Sequence, residues 1–300
     1  MNGASGAAVG ELLAIGQQRL GRAGIENARR EARLLLAAAM ARPWGDLVGE
    51  ERQPVAADAA VRFDGFVARR AAREPVSRIL GHREFWSLDF GLSAATLDPR
   101  ADSEALIEAV LEAVPSRDAS LSILDLGCGS GCLLLALLTE FPQARGIGID
   151  LAPLAAATAG ANAEHNRLER RARFQIGDWD SGLTGRFDII VSNPPYIPTS
   201  RIATLEPEVA RYDPLLALDG GADGLDAHRQ LAQLLPRRLA DGGIAVIEHG
   251  DEQGPAAQSI YEAAGLVLRK WHADLGGHRR CLVMASDGDK KTVGKGRGTV

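Results

Sequence analysis

The 300-residue chain is poor in cysteine, lysine and aromatic residues, and each shortage excludes something. Its three cysteines, Cys128, Cys132 and Cys281, are too few and too unevenly spaced for a disulfide framework, and no second Cys/His pair completes a zinc site. The expectation is a metal-free, cytoplasmic protein. No stretch approaches the ~20 apolar residues of a membrane span, and residues 1–10 lack the basic start and apolar core of a signal peptide. An excess of positive charge is also missing: 34 basic residues against 39 acidic ones leave a formal charge of −5. That balance argues against a protein that holds long stretches of nucleic acid by neutralising phosphates. Only Lys270, Lys290, Lys291 and Lys295 are lysines, a bias read as codon composition without mechanism. What is present in quantity is core material. Hydrophobic residues make up 46% and charged residues 24%, the balance of a folded globular chain with room for one large domain or two ordinary ones.

Residues 9–76 carry a helical pattern, with Val9, Leu12, Leu13 and Leu20 at three-to-four-residue spacing and Leu34 to Leu36 inside an Arg/Ala-rich run. Breaks at 21–24, 42–45 and 53–54 divide it into a bundle of three or four helices, either a recognition or dimerisation module or a structural cap. Between Pro75 and Pro99 the residues Phe85, Trp86, Leu88, Phe90 and Leu92 roughly alternate, the pattern of a short linker hairpin. A helix is expected over 102–114, with Asp102 or Ser103 as its cap and Pro115 beyond its end.

From residue 122 onward, short apolar runs (123–126, 146–149, 172–176, 187–192 and 244–248) alternate with helical stretches, which implies a doubly wound parallel sheet. Two more strands, 266–271 and 280–284, are separated by a connection too short for a helix, so they should pair antiparallel. The fold class is therefore α/β: a Rossmann-like, seven-stranded, mostly parallel sheet with one antiparallel strand, plus a small N-terminal helical bundle. Residues 286–300 are Gly/Lys-rich and nearly devoid of apolar residues, the composition of a disordered tail.

Asp125-Leu126-Gly127-Cys128-Gly129-Ser130-Gly131 follows an apolar strand and opens a helical run, the place where an open α/β sheet holds a nucleotide. Asp150 ends the second strand 19 residues after Gly131, at the spacing where a carboxylate accepts from the hydroxyls of an adenosine ribose. Leu133 stands where a dinucleotide fingerprint would want its third glycine or alanine, and Asp125 would repel a pyrophosphate. The same carboxylate suits a ligand carrying sulfonium and ammonium groups, so S-adenosylmethionine is the better candidate. Gly177-Asp178-Trp179 ends the third strand, where it either meets an adenine or serves as a capping Asp beside a partly buried Trp. Cys128 and Cys132 read as small buried residues without redox or metal chemistry.

The most informative stretch is Asn193-Pro194-Pro195-Tyr196 at the end of an apolar strand. The prolines fix the backbone, so the Asn193 side chain and the Pro194 carbonyl can aim two acceptors at one point. A planar –NH₂ presents two donors on a nitrogen whose lone pair is delocalised. Accepting both hydrogens orients that nitrogen toward an electrophilic methyl and stabilises the positive charge that grows on it. Tyr196 can stack on the flat face of the same group. Taken alone, Asn-Pro-Pro would also serve as an ordinary loop exit from a strand.

These elements resemble the class I methyltransferases of the glutamine N5 type, specifically the bacterial release-factor glutamine methyltransferases or HemK family, over nearly the whole chain to about Met284. Gly81-His82-Arg83-Glu84-Phe85-Trp86-Ser87 is similar to a segment that separates this subgroup from the ribosomal-protein glutamine methyltransferases. Residues 125–131 resemble its cofactor loop, residues 192–197 its catalytic segment, and residues 219–225 and 276–280 its later landmarks. The resemblance implies S-adenosylmethionine contacts from Gly127, Cys128, Gly129, Ser130, Gly131, Asp150, Trp179 and Asn193. It further implies catalysis by Asn193, Pro194 and Tyr196, with the substrate held by Asn193, Pro194, Pro195 and Tyr196. The implied substrate is the Gln of the Gly-Gly-Gln tripeptide in peptide chain release factors, bound with help from the helical domain; the expectation is a cytoplasmic monomer without stable nucleic-acid or membrane binding. The expected organisation is a helical domain over 1–76, a linker hairpin over 77–100, the methyltransferase domain over 101–285 and the tail over 286–300.

Two departures accompany the likeness: Asp98 replaces an apolar residue and Ala101 a proline ahead of Asp102-Ser103-Glu104, and His249 replaces an aliphatic residue. Rival readings are methylation of another protein glutamine, of an adenine amine in nucleic acid, which would call for a basic recognition region, or a non-catalytic adapter that binds S-adenosylmethionine and translation factors.

Overall fold

The computed structural model describes residues 7–286, and the tail expected from 286 onward otherwise lies outside the described residues. The chain forms two compact units, one reaching to Gly81 together with Glu206–Tyr212, the other comprising His82–Leu205 and the chain from Asp213.

In the helical unit, α1 (Val9–Arg22), α2 (Ala28–Ala39) and α3 (Ala57–Ala71) each bury one face. The buried positions recur with helical period: Ala28, Ala32, Leu35, Leu36 and Ala39 on α2, and Ala59, Phe63 and Val67 on α3. Gly16 allows close approach, since a Cβ there would lie 2.6 Å from Phe63 Cζ. A short α4 (Val76–Leu80) follows Pro75 and ends at left-handed Gly81, so the segment expected as a linker begins with helix. Arg70, nearly buried, donates to Glu31 at 2.6 Å and to Glu208 at 2.9 Å, and Arg73 pairs with Glu208 at 2.9 Å. These ion pairs join the distant segment Glu206–Tyr212 to the helices.

The second unit opens with the hairpin β1 (His82–Phe85) and β2 (Leu88–Gly91). Its two-residue turn places Trp86 and Ser87 at positive φ, 51° and 61°, the conformation that matches strand twist. Carboxylates hold the turn: Ser87 N–H donates to Glu84 Oε1 at 2.6 Å and Trp86 N–H to Glu104 Oε1 at 3.2 Å. Then come α5 (Glu104–Ala113), β3 (Ser122–Leu126), α6 (Cys132–Glu140), β4 (Arg145–Asp150), α7 (Pro153–His165), β5 (Ala172–Ile176) and β6 (Phe187–Ser192). Three short helices, α8 (Thr199–Ile202), α9 (Pro207–Tyr212, in the helical unit) and α10 (Leu215–Leu218), lead to α11 (Asp226–Arg238). The chain closes with β7 (Leu239–Glu248), α12 (Gly254–Ala263), β8 (Leu266–Ala273) and β9 (Arg279–Ser286).

The seven strands lie in the order β5-β4-β3-β6-β7-β9-β8, parallel except for β9, which pairs antiparallel with both β7 and β8. All seven expected strands form, and β9 is the expected reversed strand. Successive residues alternate between two apolar layers: Ile123 and Ile189 pack with Leu106 and Leu134, while Leu124 and Ile190 pack with Leu231 and Tyr261. From β3 the chain builds outward in one direction through β4 and β5, then returns to build the other way through β6 and β7. The switch point therefore lies between the carboxyl ends of β3 and β6, where open α/β sheets bind ligands.

The helix expected from Asp102 starts two residues later. Residues Ala101–Ser103 form a 3₁₀ turn, and Ser103 occupies the expected N-cap position of α5, but its side chain makes no capping hydrogen bond. The reason is a competing partner, because the Ser103 hydroxyl donates to Glu248 Oε2 at 2.6 Å.

Candidate active site

At the switch point, Asp125 and Leu126 end β3 and the chain turns through Gly127, Cys128 and Gly129. Gly127 and Gly129 have φ of 72° and 53°, and a Cβ on either would meet no atom within 4 Å. Their missing side chains leave a cradle of backbone open to a ligand. Asp150, ending the neighbouring β4, accepts from Gly129 N–H at 2.8 Å and from Ala152 N–H at 2.9 Å. Burial raises its pKa against these two hydrogen bonds.

A cavity of about 430 Å³ opens over this cradle, within the roughly 300–1,000 Å³ of small-molecule sites. It brings together Gly127, Cys128, Gly129, Ser130, Asp150, Trp179 and Asn193, seven of the eight residues expected to meet the cofactor. Gly131 is outside the lining. Its φ is 81° and a Cβ there would lie 2.9 Å from Phe174 Cζ, so packing of α6 against β5 demands this glycine. Trp179 Nε1–H donates to Gln230 Oε1, which fixes the indole at the rim. Both Cys128 and Cys132 border the cavity, but burial raises the pKa of each, that of Cys132 to about 12, so neither supplies a thiolate.

Beneath the loop, Asp125 is fully buried. One of its oxygens accepts from Leu134 N–H at 3.3 Å, and the other, Oδ1, has no hydrogen-bond partner. Desolvation pushes its pKa up to about 7. An unsatisfied buried carboxylate behind a cavity wall is a site that a bound cation would relieve. The open cradle, the ribose-acceptor position of Asp150 and this orphaned oxygen fit S-adenosylmethionine, which carries cationic sulfonium and ammonium groups.

On the opposite wall, β6 ends beside β3, held there by the Ser192 hydroxyl donating to the Leu126 carbonyl at 2.7 Å. The chain then enters Asn193-Pro194-Pro195-Tyr196. Asn193 and Pro195 line the cavity, while Pro194 is buried and neither it nor Tyr196 belongs to the lining. Asn193 Nδ2–H donates to Ser103 Oγ at 3.0 Å, and Tyr196 O–H donates to Glu248 Oε1 at 3.2 Å. Burial, with the neighbouring Glu248 carboxylate, keeps Tyr196 a phenol.

The turn after α10 clamps the exit of this segment. Ile197 N–H donates to Leu218 O at 3.0 Å, Gly220 N–H to Ile197 O at 2.9 Å, and Gln253 Nε2 to Tyr196 O at 2.8 Å. A Cβ on Gly220 would sit 2.8 Å from Tyr196 Cα, so the close approach of these two segments requires glycine there.

Comparison with known proteins points the same way. The chain matches a family model described as PrmC N-terminal domain over residues 11–81 and one described as methyltransferase small domain over residues 89–205. It is 50% identical over 278 residues to a release factor glutamine methyltransferase of Rhodospirillum rubrum, covering 92% of this chain and 84% of that one. With its counterpart from Agrobacterium fabrum it shares 43% identity over 285 residues, 94% and 99% of the two chains. The chain belongs to the release factor glutamine methyltransferases. The fold is shared more widely. A methyltransferase from Pyrococcus furiosus superposes with a TM-score of 0.50 at 17% identity, covering 72% of this chain and 95% of that one. The hMettl16 catalytic domain does so with a TM-score of 0.56 at 14% identity, covering 76% and 84%.

Within this chain, Asp98 and His249 find structural settings. Asp98 is buried, 3.9 Å from the Arg83 guanidinium. His249 is fully buried, donates from Nδ1 to the Gly250 carbonyl at 2.8 Å and stacks edge-on against Trp271; burial lowers its pKa and keeps it neutral. Sequence reasoning missed Arg100, Ser103, Asp219 and Gln230 as cavity residues. They come from segments that local periodicity assigns to loops, caps or helix surface.

Proposed function

We propose that the chain methylates the side-chain amide nitrogen, N5, of the glutamine in the Gly-Gly-Gln tripeptide of peptide chain release factors. Asn193 carries the reading: an amide acceptor at the end of β6 lines the same cavity as the glycine cradle and Asp150. When bound, S-adenosylmethionine supplies an activated methyl on a positively charged sulfur. Gly127, Gly129 and Asp150 would hold its nucleoside portion, with Trp179 at the adenine end.

The work of the Asn-Pro-Pro-Tyr segment is positioning and charge stabilisation. Asn193 Oδ1 and the Pro194 carbonyl accept the two hydrogens of the substrate –NH₂, which turns its nitrogen toward the methyl. The same acceptors favour positive charge on that nitrogen during transfer. The proton leaves after methylation, so no strong base is required beforehand. Tyr196 limits the roll of the substrate amide through its ring.

The helical unit assists in holding the release factor. The enzyme acts as a monomer in the cytoplasm, without stable nucleic-acid binding, a reading favoured by the formal charge of −5. Among the described residues no helix is long and apolar enough to cross a membrane. The test is to incubate the protein with S-adenosylmethionine and a release factor and examine the Gly-Gly-Gln peptide by mass spectrometry. One added methyl on the Gln side chain is expected. An unmodified peptide, with cofactor binding confirmed by calorimetry, would refute the substrate assignment.

A further inference from the structure

Glu248, the last residue of β7, is a carboxylate buried at the back of the site and outside the cavity lining. Its desolvation is costly, and an apolar side chain of similar size would fill the space without that cost. Its two oxygens, however, reach the two ends of the Asn-Pro-Pro-Tyr segment. Oε1 accepts from Tyr196 O–H at 3.2 Å, and Oε2 accepts from Ser103 O–H at 2.6 Å. The Ser103 oxygen in turn accepts from Asn193 Nδ2 at 3.0 Å.

Hydrogen count gives this chain a direction. Burial pushes the Glu248 carboxyl up to about 7; in its ionised form, which prevails above that pH, it only accepts, so the single Ser103 proton must point at Glu248. The Ser103 oxygen is then left to accept, so Asn193 must present its –NH₂ end to Ser103. The oxygen end of the Asn193 amide is thereby turned away from Ser103. An asparagine amide can turn over by rotating about one bond, and its two ends are nearly identical in shape. Only the polarity of its surroundings decides which end is offered to a ligand.

We propose that Glu248 is a positioning residue, setting the direction of the Asn193 amide through Ser103 while holding Tyr196 from its other oxygen. This rests on the reading of Asn193 as the acceptor of the substrate amide. Glutamine at 248 would have one accepting and one donating end. It could not accept from both Ser103 and Tyr196, and it would let the relay to Asn193 reverse. Threonine at 103 would keep the hydroxyl.

The test compares kcat on a release factor, at saturating cofactor and substrate, for Ser103→Ala, Ser103→Thr, Glu248→Gln, the Ser103→Ala/Glu248→Gln pair and Asn193→Ala. Calorimetric affinity for S-adenosylmethionine is measured on each. Ser103→Ala and Glu248→Gln are each expected to lower kcat by about 10- to 100-fold, as misoriented catalytic groups do. Cofactor affinity should change no more than about twofold and the double variant should be no worse than the poorer single one, as for links of one relay. Ser103→Thr is expected to recover most of the rate. Wild-type kcat in Ser103→Ala, with Asn193→Ala inactive, would overturn the relay and leave the catalytic reading intact. Full activity in Asn193→Ala would overturn both. Losses that multiply in the double variant would show two independent packing effects and overturn the relay. Should Glu248→Gln fail to fold, the contrast between Ser103→Ala and Ser103→Thr decides the matter alone.

Discussion

The Gly129 N–H donates to Asp150 Oδ2 at 2.8 Å, so the end of β4 holds the loop that follows β3. With its other oxygen on Ala152 N–H, Asp150 fixes both the glycine cradle and the start of the segment leading into α7. The carboxylate expected from its spacing to meet a ribose therefore also shapes the surface proposed to carry the nucleoside. Asp150→Ala is expected to weaken S-adenosylmethionine binding by roughly tenfold or more, the loss of one to two hydrogen bonds to a charged group. Turnover at saturating cofactor should change much less. Calorimetry together with kcat and KM separates the two effects.

Asp125 supplies a prediction in pH. Its folded-state pKa, pushed up to about 7 by burial, lies above the ordinary carboxylate value. A group raised in this way contributes stability that is present below its unfolded pKa and is lost as pH rises through the folded one. Between about pH 4 and pH 7, Asp125 should thus cost the cofactor-free protein roughly 1.4 kcal/mol per pH unit at most. His228 has the opposite sign: burial lowers its pKa to about 4, so its neutral form favours folding as pH rises from there toward the ordinary histidine range. The difference between Asp125→Asn and the parent isolates the first effect. Unfolding midpoints of the variant should gain on the parent as pH increases from 4 to 7, and a pH-independent difference would contradict the assignment.

Much of this site is legible locally because its parts are contiguous. A strand followed by Gly-x-Gly-x-Gly, a carboxylate at the next strand end and Asn-Pro-Pro-Tyr after another strand each carry their geometry within a few residues. The reversal at β9 is legible for a similar reason, since the connection around Leu275-Gly276-Gly277 leaves no length for a crossover helix. Ser103 is different. Its local pattern is that of a helix cap, yet its hydroxyl is committed to Glu248, 145 positions away. Likewise, the ion pair that brings Glu208 to Arg70 spans 138 positions, and no periodicity announces it. Polar contacts made across the fold depend on where strands and loops end in space, which residue type and spacing do not encode.

Two glycines of one loop should respond to the same substitution in different ways. At Gly131 a methyl would press on the Phe174 ring at 2.9 Å and on Ala159 at 3.1 Å, at a φ of 81°. Gly131→Ala is expected to destabilise the fold by about 1–3 kcal/mol through strain and overpacking. At Gly127 a methyl meets no protein atom within 4 Å and projects from the cavity lining. Gly127→Ala should therefore cost only the ~1–2 kcal/mol of a left-handed non-glycine residue while weakening cofactor binding more. Denaturant unfolding and calorimetry on both variants check the contrast, which fails if Gly127→Ala binds the cofactor as well as the parent.

Gly220 tests whether the clamp on the catalytic segment matters to turnover. Its N–H donates to the Ile197 carbonyl at 2.9 Å, and a Cβ there would come within 2.8 Å of Tyr196 Cα and within 2.9 Å of both Gly224 Cα and Gly224 O. All three are backbone, so relief requires the turn or the Tyr196 main chain to move. Tyr196 cannot shift without disturbing its hydrogen bonds to Glu248 and Gln253 and the prolines that aim Asn193. The nucleoside cradle on β3 and β4 is built from other segments and keeps its own contacts. Gly220→Ala is thus expected to lower kcat by roughly 10²-fold, the scale of a displacement near 1 Å at the reacting groups, with S-adenosylmethionine affinity changed by less than about threefold. Stopped single-turnover rates at saturating cofactor, set beside calorimetric affinities, measure both quantities. Equal losses in rate and cofactor affinity would mean that the turn supports the whole cavity instead of the Asn193 to Tyr196 wall alone.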